Sequence, residues 1–374
     1  MLSFLVIRII LSIVCKNSLT YNIERIVISR GKSDCGIAGV SDGMSVDIII
    51  PVYKPDKQLF ALVERLQKQT VPVRNIILMN TEEKYFENLV YGTRFLEQNR
   101  NVRVFHLSKR EFDHGKTRHI GVLKSSADIF VMMTQDAMPA DTCLLEGLLD
   151  SLQENVAVAY ARQLPREDCS PMEKYMRRYN YPAQSRIKTL EDLPELGIKT
   201  YFCSNVCAAY RRDIYEKLGG FIRHAIFNED MIYAAGAMKE GYAVAYAAEA
   251  RVVHSHNYTN RQQFHRNFDL GVSQADHPEV FEGIPSESEG KRMVAETASY
   301  LRRNGMVMKV PHLLMQSACK YAGYLLGKNY RKLPRRWVVS ISMNREYWDQ
   351  ERRRLDVAGI DVTKGYGKTD SETK

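Results

Sequence analysis

Four short stretches constrain this chain more than anything else in it: VDIIIPVY at 46–53, RNIILMN at 74–80, VRVFHL at 102–107 and DIFVMMT at 128–134. Each is rich in β-branched and apolar residues and lacks the polar alternation of a strand with one face in water. Such runs predict strands buried on both faces, as in a parallel sheet covered by helices. The intervening segments supply the helices. KQLFALVERLQKQT (57–70) places Leu59, Leu62, Val63 and Leu66 at helical spacing. TEEKYFENLVYGTRFLEQ (81–98) reads as one helix capped at Thr81, and HGKTRHIGVLKSSA (114–127) as a loop entering a helix. The repetition predicts an α/β fold with a mostly parallel sheet and helices on both faces.

In open sheets of this kind a ligand lies beyond the carboxyl ends of the strands. Pro51, Val52, Tyr53, Asn80, Gln135 and Asp136 fall at those ends, so the fold would gather them at one crevice. Beyond residue 150 the rhythm loosens. VAVAYARQLP (156–165) contains a short strand, and 166–200 reads as polar, proline-punctuated loop. SNVCAAYRRDIYEKLGGF (204–221) reads as a strand and a helix, NEDMIYAAGAMKEG (228–241) as a helix, and YAVAYAAEARVVHSH (242–256) as strand-rich. The remainder is helical and basic, 321–337 being its clearest helix. The organisation expected is an extension over 1–43, a main domain over 44–275, a helical region over 276–360 and a disordered tail over 361–374.

Hydrophobic content of 45% and charged content of 26% over 374 residues fit a globular protein and exclude a disordered or fibrous one. A net charge of +9 favours anionic partners. Nucleic acid is not the expected one, since no helix-turn-helix, zinc-finger or RNP-like motif is present. The seven cysteines include no CxxC pair. They read as reduced thiols of a cytoplasmic protein, without a zinc site.

Five stretches carry chemistry, most of them with a plain structural alternative. Asp136 in TQDAMP suits a divalent metal between phosphates, or a turn before Pro139. His254 and His256, two residues apart, suit metal ligation on one strand face, or a hydrogen-bonded pair. FNED (227–230) offers Glu229 and Asp230 as a general base, or a helix start capped by Asn228. FDHGKTRHIG (112–121) offers Gly115 and Arg118 for an anion, without matching a Walker loop or the dinucleotide fingerprint. NYTNRQQFHRNFDLG (257–271) reads as a pyrophosphate or sugar contact, or as an ordinary amphipathic helix.

These stretches together, with YARQLP, RRYNYP, FCSNVCAAYRRDIY and LGGF, span about 46–275 and closely resemble the bacterial rhamnosyltransferases of glycosyltransferase family 2. The resemblance implies the GT-A fold and an inverting single displacement. It gives the nucleotide to Pro51, Val52 and Tyr53, and to Asn80 where the family usually has an acid. It aligns Thr134-Gln135-Asp136 with the metal motif DxD, keeping only the last acid, and sets Asp230 beside Glu229 as catalytic base. Mn2+ or Mg2+ would bind Asp136 and His254, with His256 a second choice. Arg118 and the amides near Gly115 would face the leaving diphosphate, and Arg162, Gln163 and Asn205 the sugar. The implied donor is dTDP-β-L-rhamnose, and the acceptor a cell-surface polysaccharide or lipid-linked glycan at the cytoplasmic membrane face. The basic C-terminal helices suit either a peripheral membrane contact or a helical bundle or homodimer. The rival readings are a non-catalytic nucleotide-sugar or glycan-binding protein of the same fold, and a nucleotidyltransferase. The latter normally needs a glycine- and lysine-rich loop that VYKPDKQ does not supply.

Overall fold

Strand β1 (Val46–Tyr53) shows why helices must lie on both sides. Ile48 and Ile50 belong to one apolar cluster and Ile49 to another, and all three are sealed from solvent. Alternate strand residues face opposite sides of a sheet, so these are the clusters of its two faces. The computed structural model describes residues 43–284 and 287–357. In it β1 pairs in parallel with β2 (Asn75–Thr81), which pairs with β3 (Val102–Leu107); on its other side β1 takes β4 (Ile129–Met133). The remaining strands are β5 (Met138–Pro139), β6 (Val156–Leu164), β7 (Arg186–Lys188), β8 (Cys207–Arg211) and β9 (Ala243–Val253). They complete a nine-stranded sheet in the order β3-β2-β1-β4-β8-β6-β9-β5, with β7 against β9. The parallel pattern covers β1 to β4. Beyond it the sheet is mixed, because β8 runs antiparallel to both β4 and β6.

The helices that flank the sheet are α1 (Gln58–Gln67), α2 (Glu83–Val90), α3 (His114–Leu123), α4 (Leu144–Asp150), α5 (Pro171–Asn180), α6 (Arg212–Lys217) and α7 (Glu229–Lys239). Side chains of α1, α2 and α4 join the cluster of Ile48, and those of α3, α6 and α7 the cluster of Ile49. α1 buries the four residues its spacing picks out. The stretch 81–98 is not one helix. Thr81 ends β2, α2 stops at Val90, Gly92 takes φ = 70°, and a single turn follows at Phe95–Gln98. Nor is 166–200 mainly loop: it contains α5, with the Ser170 hydroxyl accepting the Glu173 N–H and Pro171 at the first position.

The C-terminal region is helical: α8 (Asn260–Asp276), α9 (Glu287–Arg303), α10 (Val310–Lys328), α11 (Arg335–Ile341) and α12 (Arg345–Val357). The stretch 321–337 divides, since α10 ends at Lys328 and a short turn at Tyr330–Lys332 precedes α11. α8 and α10 touch backbone to backbone. A Cβ on Gly323 or Gly327 would lie 2.1 Å from the carbonyl oxygen of Phe264 or Phe268, and one on Gly271 would lie 2.4 Å from that of Tyr324. Cys169, Cys203, Cys207 and Cys319 are free, whereas Cys143 is disulfide-bonded and departs from the all-reduced expectation. Residues 1–42 of the expected extension and the whole expected tail lie outside the described residues.

Candidate active site

Asp136 sits in the turn between β4 and β5. The antiparallel pairing of Met138 with Val253 brings that turn beside the residues that follow β9. His254 Nε2 lies 3.5 Å and His256 Nε2 3.2 Å from Asp136 Oδ2. Ligand atoms from the three side chains fall within 4.8 Å of one another. Behind them Gln163 Oε1 lies 2.9 Å from His254 Nδ1 and is held in turn by Arg177. An amide oxygen only accepts, so Nδ1 carries the proton and Nε2 is directed at Asp136. Burial pushes the Asp136 carboxyl up, but the two facing imidazoles outweigh it and hold the acid far below its ordinary range. Burial, against the pull of Asp136, depresses His254. The neutral ring turns a lone pair toward a carboxylate oxygen, an approach that needs a proton or a cation between the two. This donor set fits a divalent metal ion.

The second group is built on a backbone kink. Asn228 adopts φ = 63°, a left-handed conformation that asparagine tolerates better than most residues. It makes no side-chain cap on α7, contrary to expectation; its Nδ2 donates to Ser273 Oγ at 3.2 Å instead. The turn delivers Glu229 and Asp230 to the start of α7. Asp230 accepts backbone N–H bonds from Asn205 at 2.9 Å and Met231 at 2.8 Å. Glu229 Oε1 accepts from Asn205 Nδ2 at 3.0 Å and pairs with Arg118 Nη1 at 3.2 Å. Tyr210 O–H donates to Asn205 Oδ1 at 2.7 Å, so one asparagine orients both acids. Burial would raise Glu229, but the Arg118 charge outweighs it and keeps the acid low. Burial first, then the Glu229 charge, push Asp230 well above the ordinary carboxylate range. Two adjacent carboxyl groups are thus set apart: Glu229 is buried and locked ionised, and Asp230 is half-buried and able to take a proton near neutrality.

The third group joins strand ends. The Tyr53 N–H donates to Gln135 Oε1 at 3.0 Å and Gln135 Nε2 returns to the Tyr53 carbonyl at 2.9 Å. Beside them Lys54, Pro55, Asp56, Gln135 and Asp136 line a hollow. Tyr53 is exposed and meets Tyr85 edge to face, 5.7 Å between centroids. Pro51 is half-buried, while Val52 and Asn80 are enclosed in the core. Asn80 Nδ2 donates to the Glu82 carbonyl at 3.2 Å, bracing a turn in which Glu82 takes φ = 66°. Gly115 lies in the first turn of α3, where a Cβ would come 1.9 Å from the Ile222 carbonyl oxygen. Packing alone requires glycine there. Arg162 is half-buried and enters none of these hydrogen-bond groups among the described residues. Two arginines near the cluster were not singled out by the sequence. Arg177 lies in the segment read as loop, and Arg266 in the stretch left between ligand contact and amphipathic helix. The Ser-x-x-Glu start of α5 was the signal that could have found the first; no local signal marks the second.

A metal-type cluster and a raised carboxyl group at the ends of such a sheet are the equipment of a glycosyltransferase. Residues 47–219 match the model described as Glycosyl transferase family 2, and the chain belongs to that family. It is 36% identical over 309 residues to the O-antigen chain rhamnosyltransferase RfbN of Salmonella typhimurium strain LT2, covering 82% of this chain and 96% of that protein. The O-antigen chain rhamnosyltransferase WbaN of Salmonella anatum matches at the same identity and coverage. Among solved structures, the mannosyltransferase PcManGT from Pyrobaculum calidifontis, in complex with GDP-Man and Mn2+, is 15% identical with a TM-score of 0.48, over 83% of this chain and 87% of that one. S. aureus TarS 1–349 is 14% identical with a TM-score of 0.42, over 77% and 92%.

Proposed function

We propose that this glycosyltransferase moves L-rhamnose from dTDP-β-L-rhamnose to a hydroxyl of a lipid-linked glycan or cell-surface polysaccharide precursor, with inversion. The observation that carries the reading is the division of labour between the adjacent acids. Glu229, tied to Arg118, stays ionised and keeps Asp230 basic enough to take the acceptor's proton. Asn205 orients both acids from a position beside the proposed sugar contact. The rhamnosyl and O-antigen assignments rest on the relatives at 36% identity. Tyr53 and Gln135 are proposed at the nucleotide end, with Pro51 beside them and Asn80 acting through the Glu82 turn. Asp136, His254 and His256 would hold a divalent ion, Mn2+ in preference to the oxygen-seeking Mg2+, which supplies positive charge to the departing diphosphate. The enzyme is placed at the cytoplasmic membrane face, its acceptor reaching it there; among the described residues no helix is long and apolar enough to cross a membrane.

Donor turnover tests this directly. Intact protein with Mn2+ is offered dTDP-rhamnose and other sugar nucleotides, with and without acceptor glycans, and released nucleoside diphosphate is measured. Metal-dependent release of dTDP, reduced about 10²- to 10⁴-fold in Asp230→Asn, is expected. Release from a different donor overturns the rhamnose assignment alone. Tight donor binding without turnover by the wild type in any mixture overturns catalysis.

A further inference from the structure

We propose that Gln163 is a positioning residue that ties the metal-type cluster to the acid pair, one buried amide setting both His254 and the turn that carries Asn205; the assignment rests on the functional reading above. The side chain is 3% exposed on β6, and both of its polar atoms are engaged. Arg177 has donors only, so the atom it meets is the amide oxygen, Oε1. The same oxygen accepts from His254 Nδ1 at 2.9 Å. The amide nitrogen therefore points the other way, where Nε2 donates to Ser204 Oγ at 3.0 Å. Ser204 opens a turn that the Cys207 N–H closes on its carbonyl at 3.2 Å, and Asn205 is the next residue. From there the Asn205 N–H reaches Asp230 and Asn205 Nδ2 reaches Glu229. A single amide and one short turn thus join the metal-type histidine to the base.

A bridge positions its ends only if it is itself fixed, and Gln163 is anchored from several sides. It pairs with Val252 of β9 in the sheet, and the His254 N–H donates to the neighbouring Leu164 carbonyl at 2.9 Å. Amide and imidazole therefore leave adjoining backbones. Arg177 is set by Glu173, one helical turn away at 2.8 Å. The start of α5, the helix that carries both, is held by the histidine segment itself. His254 and His256 face Asp136, while Ser255 Oγ accepts the Arg166 N–H at 3.0 Å and Asn257 Oδ1 the Ser170 N–H at 3.2 Å. Loop, helix, arginine and amide close a circuit that returns to His254. Without the amide, Nδ1 would lose the acceptor that fixes its proton and the direction of its ring. The Ser204 end is less exclusive. Thr134 N–H also holds the Val206 carbonyl at 3.1 Å, and Tyr210 holds Asn205, so loss of the amide should loosen this turn rather than release it.

The test reads the two ends separately: Mn2+ affinity of the full chain by calorimetry without donor, and kcat at saturating Mn2+ with the sugar nucleotide that wild type turns over. Gln163→Met, similar in length but lacking the amide, should weaken Mn2+ about 10- to 100-fold. At saturating Mn2+ it should still lose about three- to tenfold in kcat. Ser204→Ala should show the same loss in kcat with Mn2+ affinity unchanged, because Gln163 still holds His254. The double variant should be no slower than Gln163→Met, since both changes cut one link. Gln163→Glu offers an oxygen to His254 and accepts the Ser204 O–H, so it should recover most of both quantities. Melting temperatures show which variants are folded; if Gln163→Met is not, Ser204→Ala beside Gln163→Glu carries the test. Wild-type Mn2+ affinity in Gln163→Met, wild-type kcat in Ser204→Ala, or losses that multiply in the double variant overturn the bridge and leave glycosyl transfer standing. A wild type that binds no Mn2+, or turns over no donor, overturns the functional reading and the bridge with it.

Discussion

Asn228 bears more strain than any cap would impose, because its backbone is left-handed and the acids depend on the kink. Asn228→Ala should cost about 1–2 kcal/mol for the left-handed conformation alone, whereas Asn228→Gly should retain the turn. Denaturant unfolding measures the first effect and kcat the second. Asp230 makes a pH-dependent pair of predictions. As general base it must be unprotonated, so kcat/KM should rise with pH through an inflection near the value to which burial and Glu229 raise it, about 7. Its stability effect has the opposite sense. A carboxyl raised in the fold gives stability that is fully present below its unfolded value and lost as pH rises through the folded one. Burial also raises Asp269 to about 7, so wild type alone cannot isolate the effect. Asp230→Asn should have a flatter stability profile between about pH 4 and 7 than wild type; identical profiles would show that Asp230 is not raised. Residue type offered Asp136, His254, His256 and Asp230 as candidates, each beside a structural alternative, and it was the family resemblance that gave them their expected roles. The Tyr210–Asn205 relay was not legible, because an asparagine has no local sign of what it holds.

α8 does at the element scale what Asn228 does at the residue scale. Its capped start follows Tyr258, its middle carries Arg266, and its Ser273 latches the turn that delivers Glu229 and Asp230. The helix keeps that position because three glycines let it approach α10 to backbone contact. Gly323→Ala must push the helices apart, at a cost of about 1–3 kcal/mol typical of overpacking, and it should lower turnover beyond the fraction unfolded. Chemical denaturation beside kcat at matched folded fraction checks this; a variant that loses stability but keeps full specific activity would confine the glycines to packing. The sequence showed strands β1 to β4 and helix α1 plainly, since their periodicity is a property of each segment alone. The reversal at β8 depends on which strand it meets. The break after Lys328 had local signals, Asn329 at the helix end and Pro334 before α11, which the surrounding helix-forming residues outweighed in the reading. α5 is different: Ser170, Pro171 and Glu173 announced a helix start, and the weight given to prolines and polar residues hid it.

At the scale of the whole molecule the remaining question is where a protein of net charge +9 meets its acceptor. Across the C-terminal helices large apolar side chains stand in solvent: Met308 is 88% exposed, Met315 58% and Trp337 52%. Exposed Arg302, Arg303, Lys309, Lys332 and Arg336 accompany them. Basic and apolar side chains together suit an anionic interface, where each nearby Lys or Arg contributes on the order of 1 kcal/mol and an inserted tryptophan adds apolar burial. The intact chain should therefore float with vesicles containing anionic lipid at low salt, and float poorly with neutral vesicles. Raising the salt shortens the screening length from about 10 Å at 0.1 M to about 3 Å at 1 M and should release most of it. Trp337→Ala should lose binding that salt does not affect, while Lys309→Ala with Arg336→Ala should lose the salt-sensitive part. If the intact chain stays with the soluble fraction on anionic vesicles at low salt, these helices serve as the buttress of α8 alone, and the acceptor's glycan must reach the enzyme without the protein touching the bilayer.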